Sequence, residues 1–226
     1  MTQDIVILIP AYNEAAGIGS VVAGARDYGP VLVVDDGSTD DTATRAERAG
    51  AEVLRQSPNG GKGVALRRGF AHALSAGYEA VVMLDGDGQH DPAEIPRFIE
   101  QYRRERPDLI IGRRNFDQMP RRRKFSNAVG TGIFSWAVGH RIHDSVSGFR
   151  LVSAELLPRL LEAREPGFLF ELEMITICIE SGYRLSWAPI STIYGNEKSH
   201  INSLPHLWES LTFALRARQR RGWSAF

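Results

Sequence analysis

Two aspartates and a glutamine follow an apolar run in VVMLDGDGQHDP, residues 81–92. Asp85 and Asp87 are two positions apart, so in an extended chain their carboxylates point to the same side. Gln89 adds a neutral oxygen, and the glycines between them allow close approach of a ligand. Mg²⁺ and Mn²⁺ prefer oxygen ligands and often take only one or two from protein carboxylates. The stretch indicates a metal site for a phosphorylated ligand, although it also suits a turn that caps the next helix.

Polar clusters end four of the predicted strands in the first half of the chain. They occupy residues 12–14, 35–38, 85–87 and 113–114. The carboxyl ends of parallel strands meet at one edge of a sheet, where α/β proteins bind their ligands. Four polar clusters at such positions predict a shared site more strongly than any one cluster does.

The elements that carry these clusters alternate in type. Short apolar runs rich in β-branched residues predict strands at 5–9, 31–36, 51–56, 80–85 and 108–114, and the segments between them predict helices. The first helix is expected to start near Tyr12 or Asn13, and the second to be capped by Ser38 or Thr39. This alternation predicts an α/β fold, with a mostly parallel central sheet and helices on both faces.

Beyond residue 115 the alternation stops. The pattern there predicts a basic segment leading into a helix, a loop and strand at 144–153, two helices, a strand at 183–190 and a final helix. Neither repeats nor a linker appear, so we expect one compact domain over 1–226. Its nucleotide-binding half would be 1–115 and its acceptor half 116–226.

Composition narrows the class of protein. The 226 residues carry no net formal charge, and 43% are apolar, as in an ordinary globular domain. The single cysteine, Cys178, excludes an internal disulfide and a cysteine zinc cluster, and its apolar surroundings favour an inert buried thiol. The sequence shows neither a signal pattern nor an apolar stretch of ~20 residues, so we expect a cytoplasmic protein without a membrane span.

The positions of the glycines do not match two common nucleotide-binding motifs. A P-loop needs G-x-x-x-x-G-K-[ST], but Lys62 is followed by Gly63, and the first glycine position holds Gln56. A dinucleotide fingerprint needs G-x-G-x-x-G after the first strand, where this chain reads PAYNEAAGIG. The option that remains is a nucleoside diphosphate held through a divalent metal by carboxylates at a strand end.

The motifs PAYNE, VVDDGSTDDT, GKGVALRRG and LDGDGQHDP occur in this order, and together they resemble the family 2 inverting glycosyltransferases of GT-A fold. The stretches QHDP and DSVSGFR are similar to the dolichyl- or polyprenyl-phosphate mannose or glucose synthase branch. The resemblance implies metal-dependent transfer of a hexose to a polyprenyl phosphate. The donor would be a nucleotide sugar of the GDP-mannose or UDP-glucose type.

The resemblance also implies roles for individual residues. Those expected to bind the nucleotide sugar are Pro10, Tyr12, Glu14, Asp35, Asp36, Lys62 and Asp85. Asp87 and Gln89 would hold Mg²⁺ or Mn²⁺, which neutralises charge on the departing nucleoside diphosphate. His90 is expected to orient the loop through hydrogen bonding. Simple helix-start residues are the alternative interpretation of Asn13 and Glu14.

A phosphate acceptor changes what catalysis requires. A phosphate monoester can attack the anomeric carbon without a general base, whereas a hydroxyl acceptor usually needs one. Transfer to a phosphate acceptor needs instead a cationic site that holds two anions close together. The resemblance assigns acceptor phosphate binding to Arg113, Arg122, Ser126 and Arg150. The expected catalytic set is Asp87, Arg113 and Asp144. A solvated basic face, or a structural pair of Arg150 with Asp144, is the alternative.

One part of the chain departs from the branch pattern. Where the branch often carries R-x-x-G-x-S-K after a strand ending in P-I, this chain reads PISTIYGNEKSHIN. The arginine position holds a neutral residue such as Thr192, and Lys198 and His200 are the cations expected to contact the donor diphosphate instead. The departure leaves the identity of the donor open.

The last predicted helix offers a route to a lipid substrate. Apolar residues recur on one of its faces, at Leu204, Leu207, Trp208, Leu211 and Leu215. Arginines and two aromatic residues follow. This combination suits peripheral contact with the anionic surface on the inner face of a membrane. Packing of the same stripe on the domain core is the alternative. Nucleic acid is not an expected partner of an acidic metal site.

Two other functions remain open. The same fold could act on a hydroxyl acceptor of a glycan or small molecule, with Asp144 as the base. A domain of this fold could also bind nucleotide sugars or serve as an assembly subunit without catalysis, which the intact Asp87 and Gln89 disfavour.

Overall fold

A computed structural model describes residues 4–115, 121–191 and 203–220, except for the side chains of 121–123, 126 and 203–207. In this part of the chain the strands β1 to β7 are Ile5–Ala11, Val31–Asp35, Glu52–Arg55, Ala80–Met83, Leu109–Arg114, Arg150–Ser153 and Leu185–Ile190. The helices α1 to α8 are Ile18–Ala25, Thr42–Arg48, Lys62–Ser75, Ile95–Glu105, Arg121–Val138, Leu157–Leu161, Leu169–Glu180 and Ser203–Arg220. A 3-10 turn, Pro92–Glu94, precedes α4.

The strands form one sheet in the order β3-β2-β1-β4-β6-β5-β7. Neighbouring strands are parallel except where β6 pairs with β4 and β5. Side chains of β1 alternate between two buried clusters, with Val6 and Leu8 in one and Ile7 and Ile9 in the other. Helices therefore cover both faces of the sheet, which is why its central strands are apolar throughout. The predicted α/β architecture, with a mostly parallel sheet and helices on both faces, is confirmed.

The first two helices begin later than the sequence pattern indicates. Asn13 has a left-handed backbone, with φ of 55°, and α1 begins only at Ile18. Ser38 accepts a hydrogen bond from the Asn13 amide instead of capping a helix, and α2 begins at Thr42. Both differences have one cause, because the two loops bond to each other across the ends of β1 and β2.

The second half of the chain adds a strand inside the sheet of the first half. β6 lies between β4 and β5, with Arg150 opposite Met83 on one side and Ile111 on the other. The 144–149 segment that precedes β6 therefore lies beside the residues that follow β4. Cys178 is buried, as predicted, and burial raises the pKa of its thiol to about 12.

Helices α5 and α8 pack together outside this sheet. The rings of Phe134 and Phe213 lie 6.4 Å apart at their contact. On α8, Phe213 and Ala217 face the core, whereas Trp208 and Leu215 from the predicted apolar stripe are exposed. Among the described helices, none has the length and apolar composition needed to cross a bilayer.

Gly63 provides a test of how closely α3 packs. A Cβ there would lie 2.6 Å from the Glu165 carbonyl oxygen and 2.9 Å from the Phe170 Cβ. Because backbone cannot move aside cheaply, Gly63→Ala should lower the free energy of unfolding by about 1–3 kcal/mol in urea titration. Gly132→Ala is the matched control on α5, where a Cβ meets nothing within 4 Å. It should raise stability by about 0.5–1 kcal/mol. Equal effects at both sites would contradict the packing.

Candidate active site

The loops after β1, β2 and β4 lie together at the carboxyl edge of the sheet. Ala11 and Asp35 are paired in register at the ends of β1 and β2. Asp85 follows β4 by two residues and lies against Gly148, where a Cβ would collide with its carboxylate. The strand-end clusters at 12–14, 35–38 and 85–87 thus surround one region, as the sequence predicts, and the 144–149 segment lies beside them.

Reciprocal hydrogen bonds join the loop after β1 to the loop after β2. The amide of Asn13 donates to Ser38 Oγ at 2.9 Å, and its side-chain oxygen accepts from the Thr39 amide at 2.9 Å. The amide of Glu14 donates to Thr42 Oγ1 at 2.8 Å. Tyr12, between β1 and these bonds, is 48% exposed. The bonds hold its ring at the surface of the site, where a flat apolar face could contact a nucleoside base.

The two aspartates at the end of β2 are buried and accept hydrogen bonds from the backbone. Asp36 accepts from the amides of Gly60 at 2.7 Å and Gly61 at 2.8 Å, and from the side chain of Gln56. Asp35 accepts from the Ser38 amide at 3.3 Å. Asp36 therefore shapes the turn that starts α3, and a nucleoside contact from either aspartate stays a prediction.

Lys62, the first residue of α3, lies between two carboxylates. Its Nζ is 2.6 Å from Asp85 Oδ1 and 2.8 Å from Glu171 Oε1. The side chain of Glu171 on α7 is 4% exposed and that of Lys62 is 15% exposed. The Phe168 ring lies 5.5 Å from the same ammonium. This ion triad, formed by Lys62, Asp85 and Glu171, connects the acidic loop of residues 85–90 to α3 and α7.

The charges of the ion triad stabilise one another. Burial alone would lower the pKa of Lys62, but the adjacent Asp85 and Glu171 carboxylates outweigh it and raise that pKa above its usual value. Burial alone would raise the pKa of Asp85, but the adjacent Lys62 ammonium outweighs it and lowers that pKa below its usual value. The lysine therefore stays protonated and Asp85 stays ionised throughout the neutral range.

His90 closes the acidic loop from the inside. It is 6% exposed, and its ring centroid is 5.4 Å from that of Phe149. Its Nε2 lies 3.9 Å from Asp85 Oδ2, while its Nδ1 has no hydrogen-bond partner within the described residues. Burial lowers the pKa of His90 to about 4, so the ring is neutral at neutral pH. The ring packs against Phe149, and among the residues that the structure describes it does not make the expected orienting hydrogen bond.

Asp87 and Gln89 occupy the outer part of the acidic loop. Both are half-buried, and the Gln89 amide donates to Asp87 Oδ1 at 2.9 Å. Two side-chain oxygens at this spacing fit a hard divalent cation that keeps most of its ligands as water and phosphate. The described residues contain no group of three or more His, Cys, Asp or Glu able to hold a metal. A cation held by these two side chains would complete its shell with water and a phosphorylated ligand.

Asp144 is committed to an ion pair with Arg114. Its carboxylate is fully buried and accepts from Arg114 Nε at 2.7 Å and from the second terminal nitrogen at 2.9 Å. It also accepts from the Val146 amide at 3.1 Å. Both carboxylate oxygens are therefore bonded to Arg114 and lie out of contact with solvent. The expected catalytic role of Asp144 does not fit this arrangement, since the residue holds the 144–146 turn against the end of β5.

Arg150 likewise lies in the interior. It is fully buried, and its guanidinium donates to the carbonyls of Ser147 at 2.8 Å, Glu171 at 2.7 Å and Ser145 at 3.3 Å. The expected contact of Arg150 with an acceptor phosphate does not fit this position, and its expected structural partner Asp144 pairs with Arg114 instead. Arg150 fixes the loop before β6 and the start of α7.

The other predicted residues are distributed as follows. Arg113 is exposed at the end of β5, Glu14 is half-buried, and Pro10 is buried in β1. Arg122 and Ser126 lie on α5, but their side chains are outside the described residues. Thr192, Lys198 and His200 fall entirely outside the described residues, so their roles stay predictions.

Sequence reasoning missed two members of the site. Glu171 lies in the run FLFELEM, and its signal is a charged residue in a mostly apolar stretch of α7. Arg114 carries the pair with Asp144, whereas the sequence drew attention to its neighbour Arg113. The alternation of side chains along a strand indicates that these two arginines have different surroundings, because adjacent residues of β5 must point to opposite faces.

Because of the ion triad, we expect removal of its cation to lower the free energy of unfolding by a large amount. Lys62→Met leaves two largely buried carboxylates close together, so it should lower the free energy of unfolding by about 3–5 kcal/mol in urea titration. Glu171→Gln should lower the free energy of unfolding less in the Lys62→Met variant than in the wild type, because the counterion of Glu171 is already gone.

The control is the exposed pair of Arg55 with Glu47, which are 2.9 Å apart. Arg55→Met should cost at most about 1 kcal/mol, since solvent screens that pair. Additive effects of Lys62→Met and Glu171→Gln would contradict the coupling.

The buried histidine predicts a pH dependence of stability. The unfolded chain binds a proton as the pH falls through 6.5, while His90 in the folded protein stays neutral until about pH 4. Stability should therefore fall by about 3 kcal/mol between pH 7 and pH 4 because of this residue. In urea titrations, His90→Gln should lose this part of the pH dependence. The same slope in both proteins between pH 6.5 and 4.5 would exclude His90 as its source.

Comparison with known proteins identifies the relatives of this chain. The family model described as "Glycosyl transferase family 2" matches residues 6–161. "Glycosyltransferase AglJ" of Haloferax volcanii is 36% identical over 189 residues, which cover 81% of this chain and 61% of that protein. "Undecaprenyl-phosphate mannosyltransferase" of Micrococcus luteus is 31% identical over 207 residues, 84% of this chain and 83% of that protein.

A solved structure shares the fold. Glucosyl-3-phosphoglycerate synthase from Mycobacterium tuberculosis, in complex with Mn²⁺, uridine diphosphate and phosphoglyceric acid, superposes with a TM-score of 0.77. The match covers 96% of this chain and 78% of that chain, at 22% sequence identity. At that identity the likeness establishes the architecture, and the chemistry has to be argued from this chain's own residues.

Proposed function

Because this chain belongs to glycosyl transferase family 2, we propose that it transfers a hexose from a nucleotide sugar to a polyprenyl phosphate with inversion. That it is a glycosyltransferase follows from the family; the donor and acceptor are the proposal. The observation that carries the choice of acceptor is the state of Asp144. The carboxylate expected to act as base for a hydroxyl acceptor is fully buried and paired with Arg114.

A phosphate acceptor removes the need for that base. A phosphate monoester is already anionic near neutral pH, so its oxygen can attack the anomeric carbon directly. Arg113, exposed at the end of β5, is proposed to hold this anion, and Arg122 and Ser126 on α5 are proposed to assist. The name of the Micrococcus luteus relative supports the same acceptor class.

The donor is proposed to bind across the ends of β1, β2 and β4. Tyr12 would contact the base, and Asp85, held ionised by Lys62, would accept from the ribose hydroxyls. Asp87 and Gln89 would hold Mg²⁺ or Mn²⁺ at the diphosphate, where the cation neutralises charge on the leaving group. The Mn²⁺ and uridine diphosphate in the solved structure of the same fold support this placement.

The two other functions make different demands on this site. Transfer to a hydroxyl acceptor needs a base that is free to take a proton, and the pair of Asp144 with Arg114 disfavours it. A binding or assembly role without catalysis needs no metal ligands. The spacing and half-exposure of Asp87 and Gln89 favour catalysis instead.

Sugar transfer with Asp87→Asn tests the metal site. Labelled GDP-mannose, UDP-glucose and UDP-N-acetylglucosamine are offered with Mn²⁺ and polyprenyl phosphate, and organic extraction measures the product. The wild type should transfer from one of them, and Asp87→Asn should lower the rate at least about 100-fold, because the cation supplies several kcal/mol. Asp27→Asn, at an exposed aspartate after α1, is the control and should retain the wild-type rate.

Three results would count against the proposal. Full activity of Asp87→Asn would exclude this metal site. Transfer by the wild type to sugar hydroxyls but not to the lipid phosphate would replace the acceptor. A wild type that binds nucleotide sugars but transfers from none of them would favour the non-catalytic role.

A further inference from the structure

Phe168 is an exposed aromatic residue beside the ion triad. It ends the loop of residues 162–168, directly before α7, and it is 44% exposed. The ammonium of Lys62 lies 5.5 Å from the centroid of its ring. The same ammonium bonds Asp85, so the ring lies close to the carboxylate that is proposed to bind the ribose. A single exposed apolar side chain is ordinary on a protein surface, but one beside three ionised groups at the edge of a site requires an explanation.

The loop that carries Phe168 is held in place by hydrogen bonds of its backbone. The carboxylate of Glu173 on α7 accepts from the Glu165 amide at 2.9 Å. The Pro166 carbonyl accepts from the Gly63 amide at the start of α3, at 2.8 Å. Because α3 and α7 both hold the loop, the ring of Phe168 is exposed at a supported position of the backbone.

Phe168 lies on the side of the sheet that Arg113 faces. Phe170 and Met174 of α7 belong to the buried cluster that contains Ile111 of β5. Arg113 follows Ile111 by two residues in the same strand, so its side chain points to the same side of the sheet. The start of α7 is therefore on the side of the site where the acceptor phosphate is proposed to bind.

The hexose is the part of the donor that has to lie between the two ligand positions. The nucleotide is proposed to bind at Asp85 and the acceptor phosphate at Arg113, and the attacking oxygen must reach the anomeric carbon directly. The faces of a pyranose ring carry C–H groups with partial positive charge, which fit the negative face of an aromatic ring. Tyr12 lies at the end of β1, where the base is proposed to bind, whereas Phe168 lies toward the acceptor.

We propose that Phe168 is a contact residue for the donor sugar, with its exposed ring stacked on a face of the hexose beside the ion triad. The inference deepens the proposed function and rests on it for the presence of a nucleotide sugar. In this arrangement the ring contacts the sugar and leaves the nucleotide to other residues. Its removal should therefore affect the binding of a nucleotide sugar and of the bare nucleoside diphosphate differently, which a purely structural role beside Lys62 would not do.

Calorimetric titration with matched ligands tests the contact. In the presence of Mg²⁺ and without an acceptor, GDP-mannose is compared with GDP, and UDP-glucose and UDP-N-acetylglucosamine with UDP. Phe168→Leu keeps an apolar side chain and removes the ring. It should weaken binding of the nucleotide sugar that the wild type prefers by about three- to tenfold and leave the Kd of the matching nucleoside diphosphate unchanged. Phe168→Tyr retains the ring and should keep the wild-type affinity for both ligands.

Phe125→Leu is the matched control. Phe125 is 73% exposed on α5 and lies outside the proposed contact. Its replacement removes an exposed ring elsewhere on the protein, so this variant should bind every ligand as the wild type does. Circular dichroism and the urea midpoint of Phe168→Leu should match those of the wild type, which separates a lost contact from a lost fold.

Two outcomes would overturn the contact and leave the proposed function standing. If Phe168→Leu weakens binding of the nucleotide sugar and of the nucleoside diphosphate by the same factor, the ring supports only Lys62 and the ion triad. If Phe168→Leu changes neither affinity, the hexose lies elsewhere.

Two other outcomes bear on the proposed function. The expected response of Phe168→Leu, in a protein whose wild type transfers no sugar to polyprenyl phosphate, would support the contact and reject the proposed acceptor. A wild type that binds none of the three nucleotide sugars would reject the proposed donor and the contact together.

Discussion

The candidate site depends on the ammonium of Lys62, which is held between Asp85 and Glu171. Without a cation at this position, two carboxylates in a largely buried region would repel each other and lose hydration. The ion triad joins three segments that are distant in sequence: the start of α3, the acidic loop and α7. The ends of the acidic loop are thus fixed by Asp85 on one side and by the buried ring of His90 on the other. Asp87 and Gln89, between them, remain half-exposed.

The strand-end chemistry could be read from the sequence because it depends on local order. A parallel sheet brings the residues that follow its strands to one edge, so the 12–14, 35–38 and 85–87 clusters had to be neighbours. Partners supplied by the second half of the chain could not be read in this way. Glu171 reaches Lys62 from a distance of 109 residues in sequence. Asp144 and Arg150 had the residue types of catalytic groups, but whether they face a ligand or the core depends on how β6 enters the sheet.

Helix boundaries show the same limit at a smaller scale. The loops after β1 and β2 have residues that commonly begin helices, yet their amides and hydroxyls bond to each other. Because of these hydrogen bonds, both helices begin at later residues, and Tyr12 stays at the surface. On α8, the stripe read from periodicity is not the side that packs, because α5 covers Phe213, which lies outside that stripe, and leaves Trp208 exposed. The same packing leaves an apolar side of α5 exposed. The sequence did not indicate which side would be exposed, because apolar residues occur on both sides of this helix.

The central claim is that the acidic loop, anchored by Lys62, presents Asp87 and Gln89 to a cation at the donor diphosphate. Anomalous diffraction from crystals grown with Mn²⁺ and a nucleoside diphosphate tests it most directly. The account predicts a manganese peak about 2.1 Å from side-chain oxygens of Asp87 and Gln89, bridged to the diphosphate, with the ammonium of Lys62 still on Asp85. Manganese bound elsewhere, or Lys62 withdrawn from Asp85 with the loop displaced, would contradict it.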